Sequence, residues 1–340
     1  MDKAMSPDGS AADGRLKTAF YTVADRRYFI GAVALLNSLR LVGHSEPLVI
    51  VDAGLTAEQK SMIGDEAILV PAPPGIPIVS LKPHGPKARP ADVAVIIDSD
   101  MIVVRALSQL IEEARRGAFV AFLNNHDRFV PEWSSLLGLP PLQRNPYFNA
   151  GLLFIPHSIG SRFIEHWIEA QERAALGQFR YEKAGTVATD PLAFGDQDVC
   201  NAIASTYLEP GQIRLVENRL APMVPFSGVR LIDKRGLVCS FRDGARPYLL
   251  HHISWKPWLR PTTTNVYTRL LPRVLLAPDV AVRLEPDTLP LRLREGWLAL
   301  VDRGRASMQA TIRTSARRQL GRFGIRTRLA ARRTARAARG

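Results

Sequence analysis

Cysteine is nearly absent from the chain: Cys200 and Cys239 are the only two in 340 residues. One bridge at most can form, so a disulfide-stapled scaffold is excluded, and a chain of this length buries enough surface to fold without one. Each cysteine reads as a small buried hydrophobe in a reducing compartment. No apolar run approaches the roughly 18 residues that a membrane span needs. The segment from Met1 to Gly14 is polar and rich in Gly, Ala and Asp, with no apolar signal core, so the expectation is a cytoplasmic protein. Neither a G-x-G-x-x-G nor a P-loop is present, which removes the main support for a dinucleotide oxidoreductase or a P-loop NTPase. A 46% hydrophobic, 23% charged composition is that of a globular chain, one large α/β domain or two ordinary ones.

Acid is missing from one stretch in particular. Residues 303–340 hold twelve arginines and no Asp, Glu or Lys, against a net charge of +13 for the whole chain. The body is therefore nearly neutral and the tail is a cation. Met308, Ile312, Ala316, Leu320 and Phe323 recur at helical spacing and make one apolar stripe, with Gly321 and Gly324 expected to break or weaken the helix. A basic helix with such a stripe fits an anionic membrane surface. A solvated arginine-rich end and a nucleic-acid-binding tail are the rivals, and the body carries no nucleic-acid motif to favour the latter.

Strand-like and helix-like segments alternate over the first 175 residues. Strands are expected at Lys17–Val23, Pro47–Val51, Ala67–Val70, Val93–Ile97, Met101–Val104, Ala118–Phe122 and Gly151–Ile155. Helices are expected over Tyr28–Leu41, after a Thr56 N-cap, over Ser108–Arg115 and over Ile159–Glu172. The pattern predicts a mostly parallel sheet with helices on both faces, which binds ligands beyond the carboxyl ends of its strands. Val93–Ile97 is a continuous apolar run, as a strand buried on both faces requires.

That run ends in Asp98-Ser99-Asp100. In extended backbone, residues two apart face the same side, so the two carboxylates converge. Ionising both in one place is unfavourable without a cation, and a hard divalent ion such as Mg²⁺ or Mn²⁺ resolves this with oxygen ligands. Far along the chain, Leu249-Leu250-His251-His252 leads into Lys256-Pro257-Trp258. A histidine there reads either as part of a structural turn or as a third metal ligand, and Lys256 as a point charge for phosphate. Asn149-Ala150-Gly151 leads into a strand, and Asp196-Gln197-Asp198 opens a helix, where the acids suit the helix dipole.

Taken in order, TVADRRYFIGAVALLNSL, VAVIIDSDMIV, YFNAGLLFIP, GDQDVCNAI and HHISWKPW resemble the family 8 glycosyltransferases, the group that contains glycogenin and bacterial lipooligosaccharide α-galactosyltransferases. The matching segments run from Thr22 to Trp258. The resemblance implies a GT-A fold and a metal-dependent, retaining transfer of a hexose from a UDP-sugar. It implies Asp98, Asp100 and His251 as Mn²⁺ or Mg²⁺ ligands, with His252 the alternative histidine. It implies a donor site of Thr22, Val23, Asp25, Lys82, Ser99, Asn149, Ala150, Gly151 and Lys256, with Gln197 and Asp196 at the reacting face. His251 stands five residues before Lys256 and His252 four, where the family usually has six, and Ser254 or Trp255 occupies the place of the family's glycine. Arg27 sits where bacterial relatives often have asparagine.

The expected organisation is a flexible N-terminus over 1–15, a GT-A domain over 16–260, a helical extension over 261–302 and a basic tail over 303–340. The expected partners are a UDP-sugar, a cell-envelope glycan or glycolipid acceptor, and an anionic membrane surface that makes the protein peripheral on the inner face of the cell membrane. The alternatives are a catalytically impaired binding protein on the same fold and a tail-driven nucleic-acid-associated protein.

Overall fold

The computed structural model describes residues 15–176, 190–253 and 255–322. Their centre is a seven-stranded sheet. β1 (Leu16–Ala24), β2 (Leu48–Asp52), β3 (Ile68–Pro71) and β4 (Ala91–Ile97) form its parallel half, in the order β3-β2-β1-β4. β5 (Met101–Val103) leaves this sheet. β6 (Phe119–Leu123), β7 (Phe148–Pro156) and β8 (Ile213–Val216) complete it as β4-β7-β6-β8, with β7 antiparallel to both neighbours and β8 parallel to β6. Two short ribbons stand apart: β9 (Arg230–Asp233) with β10 (Val238–Ser240), and β11 (Leu249–His251) with β5.

The alternation of side chains along β4 divides the interior in two. Val93, Val95 and Ile97 enter one apolar cluster, while Ala94 and Ile96 enter the other. Burying each Val or Ile contributes about 1.5–3 kcal/mol, so an unbroken apolar strand pins the sheet between two helical layers. The first layer contains α1 (Phe29–Leu41), α4 (Ser108–Arg115) and α8 (Val266–Leu276). Earlier in the chain come α2 (Ala57–Ile63) and α3 (His84–Ala88). The second layer is built mainly by α5 (Trp133–Leu137), α6 (His157–Ala174) and α7 (Asp196–Tyr207), with Trp133, Phe163, Trp167 and Val199 filling it. α2 starts on the expected Thr56 cap, whose hydroxyl accepts from Gln59 N–H at 3.2 Å while the Gln59 side chain accepts from Thr56 N–H at 3.0 Å.

The C-terminal segment joins the first layer rather than hanging from it. Asn37, fully buried on α1, donates to the carbonyls of Val274 and Val282, both at 2.7 Å, and accepts from Val282 N–H at 2.8 Å. α9 (Trp297–Arg322) then runs as one helix across the position where the charge changes and through Gly304 and Gly321. Gly304 is carried within the helix, since one glycine costs only about 1 kcal/mol relative to alanine, and the described part of the helix ends at Arg322, one residue after Gly321. Gly324, Phe323 and the rest of the tail lie outside the described residues, as do the side chains of Ala316 and Leu320 and the whole N-terminal segment to Gly14. Among the described residues, no helix is long and apolar enough to cross a membrane.

Candidate metal and phosphate site

β1 and β4 run in parallel with Tyr21 opposite Ile96, so Asp98, the first residue after β4, follows beside the end of β1. The backbone does not stay extended after β4. Residues 98–101 make a turn closed by Met101 N–H donating to the Asp98 carbonyl at 3.2 Å. The two-residue alternation expected for Asp98 and Asp100 therefore gives way to a turn, which brings the carboxylates together by folding the chain back. The turn feeds β5, and β5 pairs antiparallel with β11 so that Met101 lies opposite His251. That register delivers an imidazole from 150 residues away to the residue next to Asp100.

The three groups meet. His251 Nε2 is 3.2 Å from Asp100 Oδ1 and 3.6 Å from Asp98 Oδ2, and one ligand atom of each lies within 4.8 Å of the others. The remaining carboxylate oxygens face lysines. Lys82 Nζ is 2.8 Å from Asp98 Oδ1 and 2.8 Å from Asp196 Oδ2, and Lys256 Nζ donates to Asp100 Oδ2. Burial raises the Asp98 carboxyl, and Asp100 raises it further against the pull of Lys82. At Asp100 burial is outweighed by the Lys256 ammonium and the His251 imidazole, which hold the carboxyl well below its usual range. Two carboxylate oxygens and one imidazole nitrogen suit a hard or borderline divalent ion, so the donor set fits Mn²⁺ or Mg²⁺.

His252 goes elsewhere. Its backbone N–H donates to the Asp100 carbonyl at 3.1 Å, but its ring is buried between Phe226 and Tyr267, with centroids 6.0 and 5.0 Å away. Burial, with the Lys256 ammonium adding to it, lowers it to about 4, so this ring is neutral. Adjacent residues of a strand end face opposite ways, which is why the His251–His252 pair supplies one ligand candidate and not two.

The loop after β11 is tied on three sides. Lys256 Nζ also donates to the His252 carbonyl at 2.6 Å and stands 5.8 Å over the Tyr28 ring. Trp258 donates from its indole to the Arg27 carbonyl at 2.8 Å, and Arg292 donates to the Pro257 carbonyl at 3.0 Å. A Cβ at Gly31 would stand 2.4 Å from the Ser99 carbonyl and 2.8 Å from the Trp258 ring, so only glycine lets α1 lie this close. Trp255 is 46% exposed with Arg260 stacked 4.0 Å from its ring; Ser254 lies outside the described residues.

The residues expected on the donor side sit as follows. Gly151 carries Asp98 through its carbonyl, at 2.8 Å from Asp98 N, and a Cβ there would come within 2.8 Å of the Asp98 carboxylate. Asn149 Oδ1 accepts from Gly151 N–H at 2.7 Å, and the Ala150 carbonyl accepts from Lys82 at 3.3 Å. Gln197 Oε1 accepts from Ala150 N–H at 3.3 Å, placing α7 against the same strand. Ser99 is buried in the turn. Thr22 is buried on β1, its hydroxyl without a hydrogen-bond partner among the described residues, while Val23 is half-buried. Asp25 Oδ1 accepts from the N–H groups of Arg27 and Tyr28, both at 2.9 Å, and so shapes the turn that opens α1.

The reading of the sequence missed three neighbours. Asp198, taken as an ordinary helix starter, is fully buried; its Oδ1 accepts from Tyr147 at 2.7 Å and Arg128 at 3.0 Å. A second acid in the first turn of an otherwise apolar helix face was the available signal. Arg128 and Tyr147 lie 70 and 51 residues away in sequence, and nothing in their local pattern marks them.

No protein-family model matches the chain, and no curated protein matches it in sequence. Solved structures match in fold. The apo structure of WbbM, a bifunctional glycosyltransferase, aligns with a TM-score of 0.50 at 14% identity, over 77% of this chain and 50% of that one. LgtC, a galactosyltransferase in complex with donor and acceptor sugar analogues, aligns at 0.46 and 15% identity, over 77% of this chain and 98% of that one. GlyE, a glycosyltransferase from Streptococcus pneumoniae TIGR4, aligns at 0.47 and 18% identity, over 71% and 56%. The fold is that of the GT-A glycosyltransferases, as the resemblance implied.

Proposed function

We propose that the protein is a metal-dependent glycosyltransferase that moves a hexose from a UDP-sugar, with retention of configuration, to a cell-envelope glycan or lipid-linked acceptor. The observation that carries this reading is the meeting of Asp98, Asp100 and His251 beyond the end of β4, ringed by Lys82 and Lys256. Binding sites in open α/β sheets form beyond the carboxyl ends of the strands. Residues 16–260 make up the transferase unit, and residues 261–302 an extension that closes its first layer.

Mn²⁺ or Mg²⁺ would be held by Asp98, Asp100 and His251, and when bound it neutralises charge on a departing nucleoside diphosphate. The chain's own residues do the rest. Lys256, on a loop pinned by Trp258 and Arg292, meets the diphosphate as a fixed positive charge. Lys82 bridges Asp98 and Asp196 and holds both carboxyl groups in place beside the donor sugar. The Gln197 amide oxygen and Asp196 face the sugar carbon as positive charge develops there. Thr22, Val23 and Asp25 lie along the nucleoside, Asn149 and Gly151 along the sugar. The exposed apolar residues of α9 and the arginines that follow would hold the enzyme on an anionic membrane surface, where lipid-linked acceptors lie.

A panel of UDP-hexoses incubated with Mn²⁺, scored by release of free UDP, tests the reading. Release with one or two donors, abolished by excess chelator, is expected. Equal release in chelator would remove the metal's role, and no release or binding of any UDP-sugar would remove the reading.

A further inference from the structure

Gln197 sits in a chain of hydrogen bonds whose direction is fixed at its far end. Asp198 Oδ1 accepts from Arg128 Nε at 3.0 Å and from Tyr147 Oη at 2.7 Å, and its Oδ2 accepts from Phe194 N–H at 2.7 Å. A guanidinium and a backbone N–H can only donate, so Asp198 is the acceptor for all three groups. Tyr147 has then committed its single proton to Asp198. What remains on its oxygen is lone-pair density, and the group facing it at 3.0 Å must donate; that group is Gln197 Nε2. With its nitrogen committed, the Gln197 amide turns its oxygen the other way, toward Ala150 N–H at 3.3 Å. Ala150 is the residue whose carbonyl receives Lys82, the lysine between Asp98 and Asp196.

Arg128 is braced for this task. Its second nitrogen donates to the carbonyls of Asp190 and Pro191 at 2.7 and 2.9 Å, and its guanidinium lies 5.4 Å from the Phe194 ring centroid. It holds the approach to α7 and the Asp198 carboxylate together. The Tyr147 ring is 3% exposed, packed between Trp133 and Phe194 at 6.4 Å each, so the hydroxyl cannot swing to another partner. Gln197 and Asp198 are adjacent in the first turn of α7, which lets one buried acid set the polarity of its half-buried neighbour through a tyrosine.

We propose that Arg128, Asp198 and Tyr147 are positioning residues that fix the Gln197 carboxamide with its oxygen toward the donor sugar. The proposal rests on the glycosyltransferase reading above and goes beyond it by naming what aims the amide. An amide left free to rotate presents nitrogen or oxygen with similar ease, and its N–H groups would oppose positive charge developing on the sugar. The relay removes that choice before any substrate arrives.

Tyr147→Phe removes the lone pair and little volume. Its expected effect is a fall in kcat for UDP release of roughly ten- to a hundredfold, the scale of a misaimed catalytic group, with UDP affinity in Mn²⁺ by calorimetry unchanged within about twofold. Asp198→Asn should lower kcat as well, because its single oxygen cannot serve Arg128, Tyr147 and the Phe194 N–H together and its NH₂ must face one of these donors. The deciding measurement is the double variant Tyr147→Phe with Gln197→Ala. If Tyr147 acts through Gln197, it costs no further activity beyond Gln197→Ala alone. Independent, multiplying losses would overturn the relay, as would a folded Tyr147→Phe protein with wild-type kcat. A parallel loss of UDP affinity would make Tyr147 a packing residue. Failure of the wild-type protein to bind UDP or release it would instead remove the reading beneath the proposal, and the relay with it.

Discussion

The site beyond β4 and the outer face of α9 reverse the usual placement of side chains in opposite senses. At the site, Asp100, Asp196, His251 and Lys256 are charged or titratable and buried. On α9, Trp297, Leu300, Val301, Met308 and Ile312 are apolar and exposed, Trp297 at 71% and Met308 at 60%. Burying charge is tolerable only with partners, and the site supplies them from β4, β11, α7 and two loops at once. Exposing an apolar stripe costs little while the helix is docked by its opposite face, where Ala299 and Ala306 are buried. The two regions should therefore answer mutation differently. Changes at the site should cost function and stability together, and changes on α9 should cost attachment alone.

The largest effect is expected at Asp100. Asp100→Asn leaves Lys256 and His251 around a neutral amide and takes one ligand from the metal set. Transfer should fall by about a thousandfold or more, the scale seen when a main electrostatic group is lost. Mn²⁺ titrated into the variant in the presence of UDP should show no saturable binding. A variant that retains a tenth of the wild-type rate would place the metal elsewhere.

Gly31→Ala comes next. The added Cβ meets a backbone oxygen at 2.4 Å and the Trp258 ring, so α1 or the Asp98–Asp100 turn must move. Overpacking of this kind typically costs about 1–3 kcal/mol. The shift should appear in urea unfolding and, because Trp258 pins the lysine loop, as weaker UDP binding as well. A loss of stability without a change in UDP affinity would separate the loop from the helix beneath it.

How far these two regions could be read from the residue order differs as well. Val93–Ile97 announced the central strand because both its faces are apolar, and Ser108–Arg115 is observed as the helix expected there. The strand expected from Gly151 starts three residues earlier, at Phe148, because Asn149 pairs with Phe122 across an irregularity in β6. The β9–β10 ribbon and α3 went unread: β9 is half charged and lies on the surface, and α3 is five residues containing a glycine and a proline. Asp98 and Asp100 were legible as a pair, but the turn that joins them was not, since alternation assumes an extended chain. Asn37 in an apolar helix was the visible sign that something polar docks on α1. The partner was not, because contacts between residues more than 200 apart leave no local trace.

The pH response sharpens the comparison at the site. His252 is buried and neutral with its folded value lowered to about 4, against about 6.5 in an unfolded chain. Between those limits the unfolded state binds the proton and the folded state does not. Stability contributed by the neutral ring is present above pH 6.5 and is lost as pH falls toward 4, by up to about 3 kcal/mol. His252→Phe fits the same neighbours, Phe226 and Tyr267, and cannot take a proton. Urea unfolding of wild type and variant across pH 4–7 should therefore diverge, with the wild type losing more stability at the acid end. Parallel curves would mean that the ring is protonated where it lies.

The smallest effect on stability, and the sharpest contrast, is expected on α9. Met308 and Ile312 are 60% and 58% exposed and follow Trp297 and Val301 along the same side of the helix. Replacing both by serine removes no contact that the fold uses, so the unfolding free energy should change by less than about 0.5 kcal/mol. Partition onto vesicles containing anionic lipid should fall by roughly tenfold or more, since each apolar side chain withdrawn from an interface forfeits about 1.5 kcal/mol or more. Raised salt should weaken what remains, because the arginines act at long range through screened charge. If the double variant unfolds at clearly lower urea instead, the stripe is covered in the protein's working state. The contrast between a site built inward and a helix turned outward would then fail at α9, while the geometry around Asp100 stays as it is.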